Sequence, residues 1–406
     1  MDVDLGGAAR GPLSGIVVLD LSAIVSGPLC GQIMGDLGAE VIKVEAPGGD
    51  SARAMGVPIV QGISPLFGHC NRNKRAITID LKTSEGQGVA RRLAERADVV
   101  IENFRPGVAA RLGLGYEALE DENPGLVYVS ISGFGPDGPR RDEPAYDTVI
   151  QGLTGFMPTQ GGRGREPRLV QGIVADKVTA LTAAYATMAA LFARVNGDGR
   201  GQRVDVPMFD AYTAFLLPDL IGSKTFPDEA QSPAVNPHRT WKTADGFVVM
   251  MIIEDRQFFG LCRAIDREDL VEDPRAANLR TRQEHGKTLF GEVRDELAKF
   301  PTADLLSSAH EYGVPMAPVN DIEDLAEDPQ ALHNGTLFEV DADPGLGRMR
   351  QFRSPPRFSR TPASLRQLPP RLGEHTRALL REAGHDEAEI DALIESGAVA
   401  EPRAVD

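Results

Sequence analysis

At 406 residues the chain is long enough for two to three domains at about 150 residues each. Its hydrophobic share of 42% and charged share of 25% are ordinary folded-protein usage, which excludes a disordered chain. With 59 acidic against 43 basic residues the net charge is −16, so a long polyanion such as DNA is repelled, whereas a small anion held by a few clustered cations is not excluded.

The opening MDVDLGGAARG has no apolar core, so no signal peptide is expected and the cytoplasm is the expected compartment. GIVVLDL (15–21) reads as a strand, followed by Pro28 and an amphipathic run to Leu37, then EVIKVE (40–45) as the next strand. AITIDL (76–81) leads through Thr83 and Ser84 into a helix ending near Arg96, and ADVVIEN (97–103) and LVYVSIS (126–132) are further strands. Strands alternating with helices of this length predict βαβ units and a parallel sheet, with ligands at the carboxyl ends of the strands.

A helix is expected from Asp176 to Val195, broken by NGDGRGQ, with RVDVPM (203–208) as one more strand. The longest uncharged stretch, Val178 to Ala193, falls short of the ~20 residues of a membrane span and reads as a buried core helix, so no membrane partner is expected. After Pro218 the rhythm changes. A hairpin at TWKTADGFVVMMII (240–253) and a helical segment from Asp255 to Phe300 mark a small domain over about 225–330. Pro-rich connectors run through 354–373, and a final helix, HTRALLREAG, closes the chain.

Several motifs are set aside. GFGPDG (133–138) has dinucleotide-loop spacing, but Pro139 and RRDEP follow where a helix must start, so it reads as a tight loop. The seven histidines show no HExxH or paired-ligand spacing, and Cys30, Cys70 and Cys262 are far apart with no CxxC, so neither a metal site nor a disulfide framework is expected. No G-x-S-x-G elbow is present.

Three clusters carry more. NRNKRAITIDLK (71–82) sets Arg72, Lys74, Arg75 and Lys82 around a strand, and on charge alone it reads equally as a solvated rim or an anion holder. ENFRPGVAARLG (102–113) lies at a strand's carboxyl end with Arg105 and Arg111, and Phe104 there suits a flat partner such as a purine. In GIVADKVTAL (172–181), Asp176 opens an apolar helix, where an N-cap is the simplest role.

These clusters, with LSGIVVLDLS, LGAEVIKVEAPGGD, SISGFGPDGP, YDTVIQGLTGF, GRGQRVDVPMFDA, TADGFVV, YGVPMAPVND and LGEHT in the same order, resemble the class III (family III) CoA-transferases from about Leu13 to Leu380. That family includes formyl-CoA transferase and the 2-methylacyl-CoA racemases. The resemblance implies a Rossmann-like parallel-sheet large domain (1–220), a smaller α+β domain (225–330), and a linker and C-terminal segment (340–406) returning to the large domain. It also implies two interlocked subunits.

It further implies Asp176 as the nucleophile, forming an acyl–aspartyl anhydride and then an aspartyl-CoA thioester while CoA moves to a free carboxylic acid. CoA contacts carry over to Val25, Ser26, Ile79, Asp80, Leu81, Lys82, Asn103, Phe104, Arg105, Arg111, Tyr146 and Asp147, which makes both basic clusters phosphate holders. No permanently bound cofactor is implied, the CoA thioester being a substrate. Val25 stands where formyl-CoA transferases have Gln, and no glycine-rich run occurs between Pro218 and Thr240. Tyr146 stands where the racemases have a catalytic His, and a phenol of pKa ~10 is a poor proton shuttle. Transfer is thus expected over racemisation or a non-catalytic CoA-binding role. A second substrate carboxylate is an open assignment for His238, Arg239 and Lys242.

Overall fold

A computed structural model describes residues 2–3, 11–162, 164–229, 239–342 and 346–402. His238 lies outside the described residues. The chain divides into two compact units, Met1–Leu220 with Gly335–Asp406, and Ile221–Asn334.

The first unit is α/β. β-Branched runs form β1 (Val17–Asp20), β2 (Glu40–Glu45), β3 (Lys74–Ile79), β4 (Val99–Glu102), β5 (Val127–Ser132) and β6 (Arg203–Pro207). Between them lie α1 (Ser26–Asp36), α2 (Pro65–Cys70), α3 (Ser84–Ala94), α4 (Asp147–Leu153) and α5 (Val174–Asn196), with α6 (Met208–Leu220) after β6. The six strands are parallel in the order β3-β2-β1-β4-β5-β6, with Val18 opposite both Val41 and Val99.

Successive strand residues face opposite sides, as the pleat requires. Val18, Val99, Ile101 and Val129 pack toward α1, α5 and α6, while Leu19, Ile77 and Val100 pack toward α3. Each such side chain contributes roughly 1.5–3 kcal/mol on burial. This two-sided burial is why the strand segments read as continuous apolar runs.

The second unit holds β7 (Thr240–Lys242), β8 (Phe247–Met250), α7 (Asp255–Ala264), α8 (Gly286–Leu297), α9 (Thr302–Glu311) and β9 (Met316–Pro318). Its sheet is antiparallel in the order β9-β8-β7, over a core of Trp241, Val248, Phe258, Leu289 and Leu305. The expected single helical stretch 255–300 is broken, first where Asp266 takes φ 56° and again at Pro274, which opens a short 3₁₀ turn.

The chain then rejoins the first unit. β10 (Leu337–Asp341) and β11 (Arg348–Phe352) form a hairpin, followed by α10 (Thr376–Glu382), α11 (Glu387–Glu395) and β12 (Val399–Ala400). Leu379, Leu380 and Ile390 complete the core on the α3 face. β12 pairs antiparallel with β3, Val399 opposite Ile79. The final helix expected from sequence is α10, and a second helix and an edge strand follow it, the strand at two residues being too short to show alternation.

Two expectations are corrected. The uncharged stretch 178–193 undercounts its helix: α5 has 23 residues and is long and apolar enough to cross a membrane by length and composition. It packs small residues, Thr179, Ala183, Ala184, Thr187 and Ala190, into the first unit. The second correction concerns NRNKR. Arg72 is fully buried and bidentate on Asp36 (2.6 and 3.0 Å), with Nη1 donating to the Phe352 carbonyl at 2.6 Å. Lys74 Nζ is buried against Asp20 Oδ2 (2.7 Å), the Pro28 carbonyl and Asn71. Arg75 bridges Glu40 and Glu382. None of the three is free to hold a phosphate. Removing one partner of the buried Arg72–Asp36 or Lys74–Asp20 pair strands a charge, at a cost of about 3–5 kcal/mol, so these two cations are structural, while Arg75 is held in partly exposed ion pairs.

Candidate functional site

Strand order reverses at β1, whose neighbours β2 and β4 carry the chain to opposite sides, and ligands of such sheets bind outside the carboxyl ends at that point. A cleft of about 260 Å³ opens there. Its walls come from the loop after β1 (Ala23, Ile24, Ser26), the segment after β4 (Asn103–Pro106), the end of β5 (Ser132, Gly133), the approach to α4 (Arg141 and Glu143–Tyr146) and Asp176.

Asp176 is the third residue of α5, and the N-cap position belongs to Ile173, which has no capping side chain. The expected N-cap role is therefore corrected. The cap comes from another helix: Asp147 Oδ2 accepts the N–H groups of Ala175 (2.6 Å) and Asp176 (3.1 Å), and its Oδ1 accepts from Gln151 Nε2 at 2.6 Å. Two of the N–H groups that a helix start leaves unpaired are thereby satisfied, and the Asp176 carboxyl is left to the cleft.

Burial pushes the Asp176 carboxyl up, the negative charge of Asp147 pushes it further, and hydrogen bonds from the hydroxyl and N–H of Ser26 draw it partly back. The result is about 6, against an ordinary value of 3.8. At neutral pH it is ionised, yet it binds a proton more tightly than an ordinary carboxylate, which is how a carboxylate is made nucleophilic.

The other expected residues divide. Ser26, Asn103, Phe104, Arg105 and Tyr146 line the cleft with Asp176, and Val25 is buried at the start of α1. Phe104 also packs on the α3-face core, and Tyr146 stands 65% exposed on the rim. Asp147 does not line the cleft, because its carboxylate is taken up by the α5 amides. Ile79 ends β3, two strands away, and Asp80, Leu81 and Lys82 follow it; Ile79 is core, and Asp80 accepts the Lys82 N–H.

Arg111 lies in the helical turn Val108–Arg111 and reaches the same region from beside Gly107. A Cβ on Gly107 would sit 3.4 Å from Arg111 Nη1 and 3.9 Å from Arg141 Nη2, so two guanidinium groups flank that glycine. Arg105 and Arg141 also line an adjoining hollow of about 260 Å³ with Phe104, Tyr116 and Arg203. Arg141 was missed because RRDEP reads as a charged loop. The signal was its position straight after a glycine turn at a strand's carboxyl end.

GFGPDG forms that turn, with Gly135 and Gly138 at φ 94° and 86°, and no helix starts before Asp147. In the second unit, Arg239 lies 4.2 Å over the Trp241 ring, and Lys242 is an exposed residue of β7. Among the described residues no group of three His, Cys, Asp or Glu side chains is placed to hold a metal.

Ionising Asp176 opposes folding, since its folded pKa lies above its ordinary value. The penalty is absent below about pH 4 and complete above about pH 6. Asp176→Asn is expected to exceed the wild type in stability by about 2–3 kcal/mol at pH 8 and to match it at pH 4, measured by urea titration. An equal gain at both pH values would assign the effect to packing.

The chain matches CoA-transferase family III over residues 13–376. It is 37% identical to the succinate–glutarate CoA-transferase of Agrobacterium fabrum, over 92% of this chain and 96% of that protein. It is 33% identical to the mouse succinyl-CoA:glutarate CoA-transferase, over 96% and 90%. The crystal structure of a CAIB/BAIF family protein from Brucella suis superposes with a TM-score of 0.80 at 35% identity, covering 92% of this chain and all of that one.

Proposed function

The chain belongs to CoA-transferase family III and is an enzyme that transfers CoA, and we propose that it does so between an acyl-CoA donor and a free carboxylic acid through Asp176. The observation that carries this reading is a carboxyl raised to about 6, held in the switch-point cleft with its helix cap supplied from elsewhere.

In the first step an Asp176 carboxylate oxygen attacks the thioester carbonyl, the C–S bond breaks, and CoA leaves as thiolate from an acyl–aspartyl anhydride. The thiolate then attacks the aspartyl carbonyl, expelling the donor acid and leaving an aspartyl-CoA thioester. An acceptor carboxylate attacks that thioester, forming a second anhydride and releasing the thiolate. The thiolate finally attacks the acceptor's acyl carbon, giving the new acyl-CoA and restoring Asp176. Negative charge develops on the attacked carbonyl oxygen at each step, and we assign its stabilisation to the Ser26 N–H and hydroxyl beside Asp176.

The substrates we infer are dicarboxylates, with succinyl-CoA as donor and a C4 or C5 diacid as acceptor, supported by the succinate and glutarate in the names of the two relatives. The enzyme works in the cytoplasm as an interlocked homodimer. Supporting the dimer is an apolar row on the outer face of α5, where Leu181, Tyr185, Phe192 and Val195 are all more than half exposed. Sedimentation velocity is expected to give a dimer, and a monomer at micromolar concentration would overturn that assignment.

Asp176→Ala is expected to lose transfer by at least 10³-fold, and hydroxylamine during turnover to label Asp176 in the wild type, read by peptide mass spectrometry. Full activity of the variant would overturn the mechanism. Arg105, Arg111 and Arg141 have no acidic partner among the described residues, and we assign them, with Lys82, to the phosphates of CoA. Arg111→Ala and Arg141→Ala are each expected to weaken CoA binding about tenfold, with smaller losses for dephospho-CoA. Equal losses for both would move these residues away from the 3′-phosphate.

A further inference from the structure

The loop joining β1 to α1 is held in a costly conformation. Ile24 takes φ 72°, a left-handed value that a β-branched side chain rarely adopts. Backbone groups through residues 22–24 are gripped by side chains from elsewhere. Ser22 N–H donates to Asp20 Oδ1 (3.0 Å), and the Ser22 carbonyl accepts from Lys43 Nζ. Ile24 N–H donates to both oxygens of Asp50 (3.0 and 3.2 Å), which is itself paired with Lys43 at 3.0 Å.

Ala23 is the central link. Its N–H donates to Asn103 Oδ1 and its carbonyl accepts from Asn103 Nδ2, both at 2.8 Å. Asn103 directly follows β4, so one side-chain amide ties the end of β4 to the loop after β1, across the crevice where the cleft opens. Three residues beyond Ala23 comes Ser26, whose hydroxyl and N–H meet the Asp176 carboxyl. The loop therefore sets where those two donors sit.

We propose that Asn103 is a positioning residue, whose amide clamps both polar groups of Ala23 and so fixes the Ser26 donors against Asp176. The inference rests on Asp176 as the nucleophile. It assigns the Asn103 side chain to the protein's own backbone, where the sequence resemblance had it among the CoA contacts. A planar amide suits this task because it presents a donor and an acceptor side by side, matching the two groups of one peptide residue. The Ser26 hydrogen bonds lower the Asp176 carboxyl, so a loop released from the clamp leaves that group harder to ionise.

The test uses the full-length enzyme with succinyl-CoA and glutarate as the assay pair. Asn103→Ala is expected to lower kcat 10–100-fold, leave the calorimetric Kd for CoA within twofold, and move the acid limb of the kcat/KM–pH profile upward by half a unit or more. Combining it with Ser26→Ala is expected to cost less than the product of the two single losses, because both act on one set of donors. If the alanine variant does not fold, Asn103→Ser, neutral but too short to reach both groups of Ala23, is read in the same way.

A tenfold weaker CoA affinity with kcat and the acid limb unchanged would overturn the proposal and return the amide to the ligand. So would wild-type kinetics throughout. Asp176→Ala is assayed alongside: an active variant there removes the nucleophile reading itself, whereas an inactive one beside an unaffected Asn103→Ala overturns only the clamp.

Discussion

The site depends on one interaction, the grip of the Asp147 carboxylate on the first turn of α5. A helix start leaves N–H groups without partners, and Ile173 at the N-cap position of α5 has no side chain to offer them. Asp147 accepts from Ala175 and Asp176 and is steadied by Gln151. Because that cap lies on α4, the helix does not need its own first-turn aspartate for it. The same contact brings two carboxyls together. One has its charge met by three N–H donors. Burial raises the other, the negative charge of Asp147 raises it further, and its pKa reaches about 6. Two acidic residues thus acquire separate roles from their surroundings, one structural and one chemical.

The distribution of cations follows a similar logic. A chain with 59 acidic residues has many carboxylates able to capture its 43 basic ones. Asp20, Asp36 and Asp50 do this inside the fold, taking Lys74, Arg72 and Lys43. At the switch-point cleft the pattern is reversed. Arg105 and Arg141 line it, Arg111 stands beside Gly107, and none of them has an acidic partner among the described residues. Like charges gathered without an ion-paired partner repel one another, and an anionic ligand relieves that repulsion. Net charge opposes a polyanion, and this local arrangement suits a small one.

The parts legible in the sequence are those written in neighbouring residues. The β-branched runs placed five of the six parallel strands to within a few residues, and the sixth, RVDVP, to within one. Their alternation with helices gave the α/β class. The family resemblance singled out Asp176. The Asp147 cap was not legible, since it joins residues 28 and 29 positions apart, nor was the Asn103–Ala23 clamp, which spans 80. Nothing local distinguishes such an aspartate or asparagine from a ligand contact. The NRNKR cluster misled for a related reason. Arg72 precedes and Lys74 opens β3, a strand with neighbours on both sides, and both are buried with their acidic partners. An adjacent strand buried on both faces was the available hint.

The proposed exchange sets opposing demands on Asp176, and a pKa of about 6 lies between them. As a nucleophile the carboxylate gains from holding protons tightly, which burial and Asp147 provide. In the donor anhydride the thiolate has to attack the aspartyl carbonyl, and this is favoured when the departing acid is the weaker base. A substrate acid of pKa about 4 meets that condition against a group at about 6. In the acceptor anhydride the demand is opposite, because there Asp176 has to leave. The higher its pKa, the worse it leaves. Hydrogen bonds from Ser26 act against burial and limit the rise. An aspartate driven much higher would load CoA readily and release it poorly, while one at the ordinary value would attack weakly. The position of Ser26, and hence the loop that carries it, is therefore part of the balance between the two half-reactions.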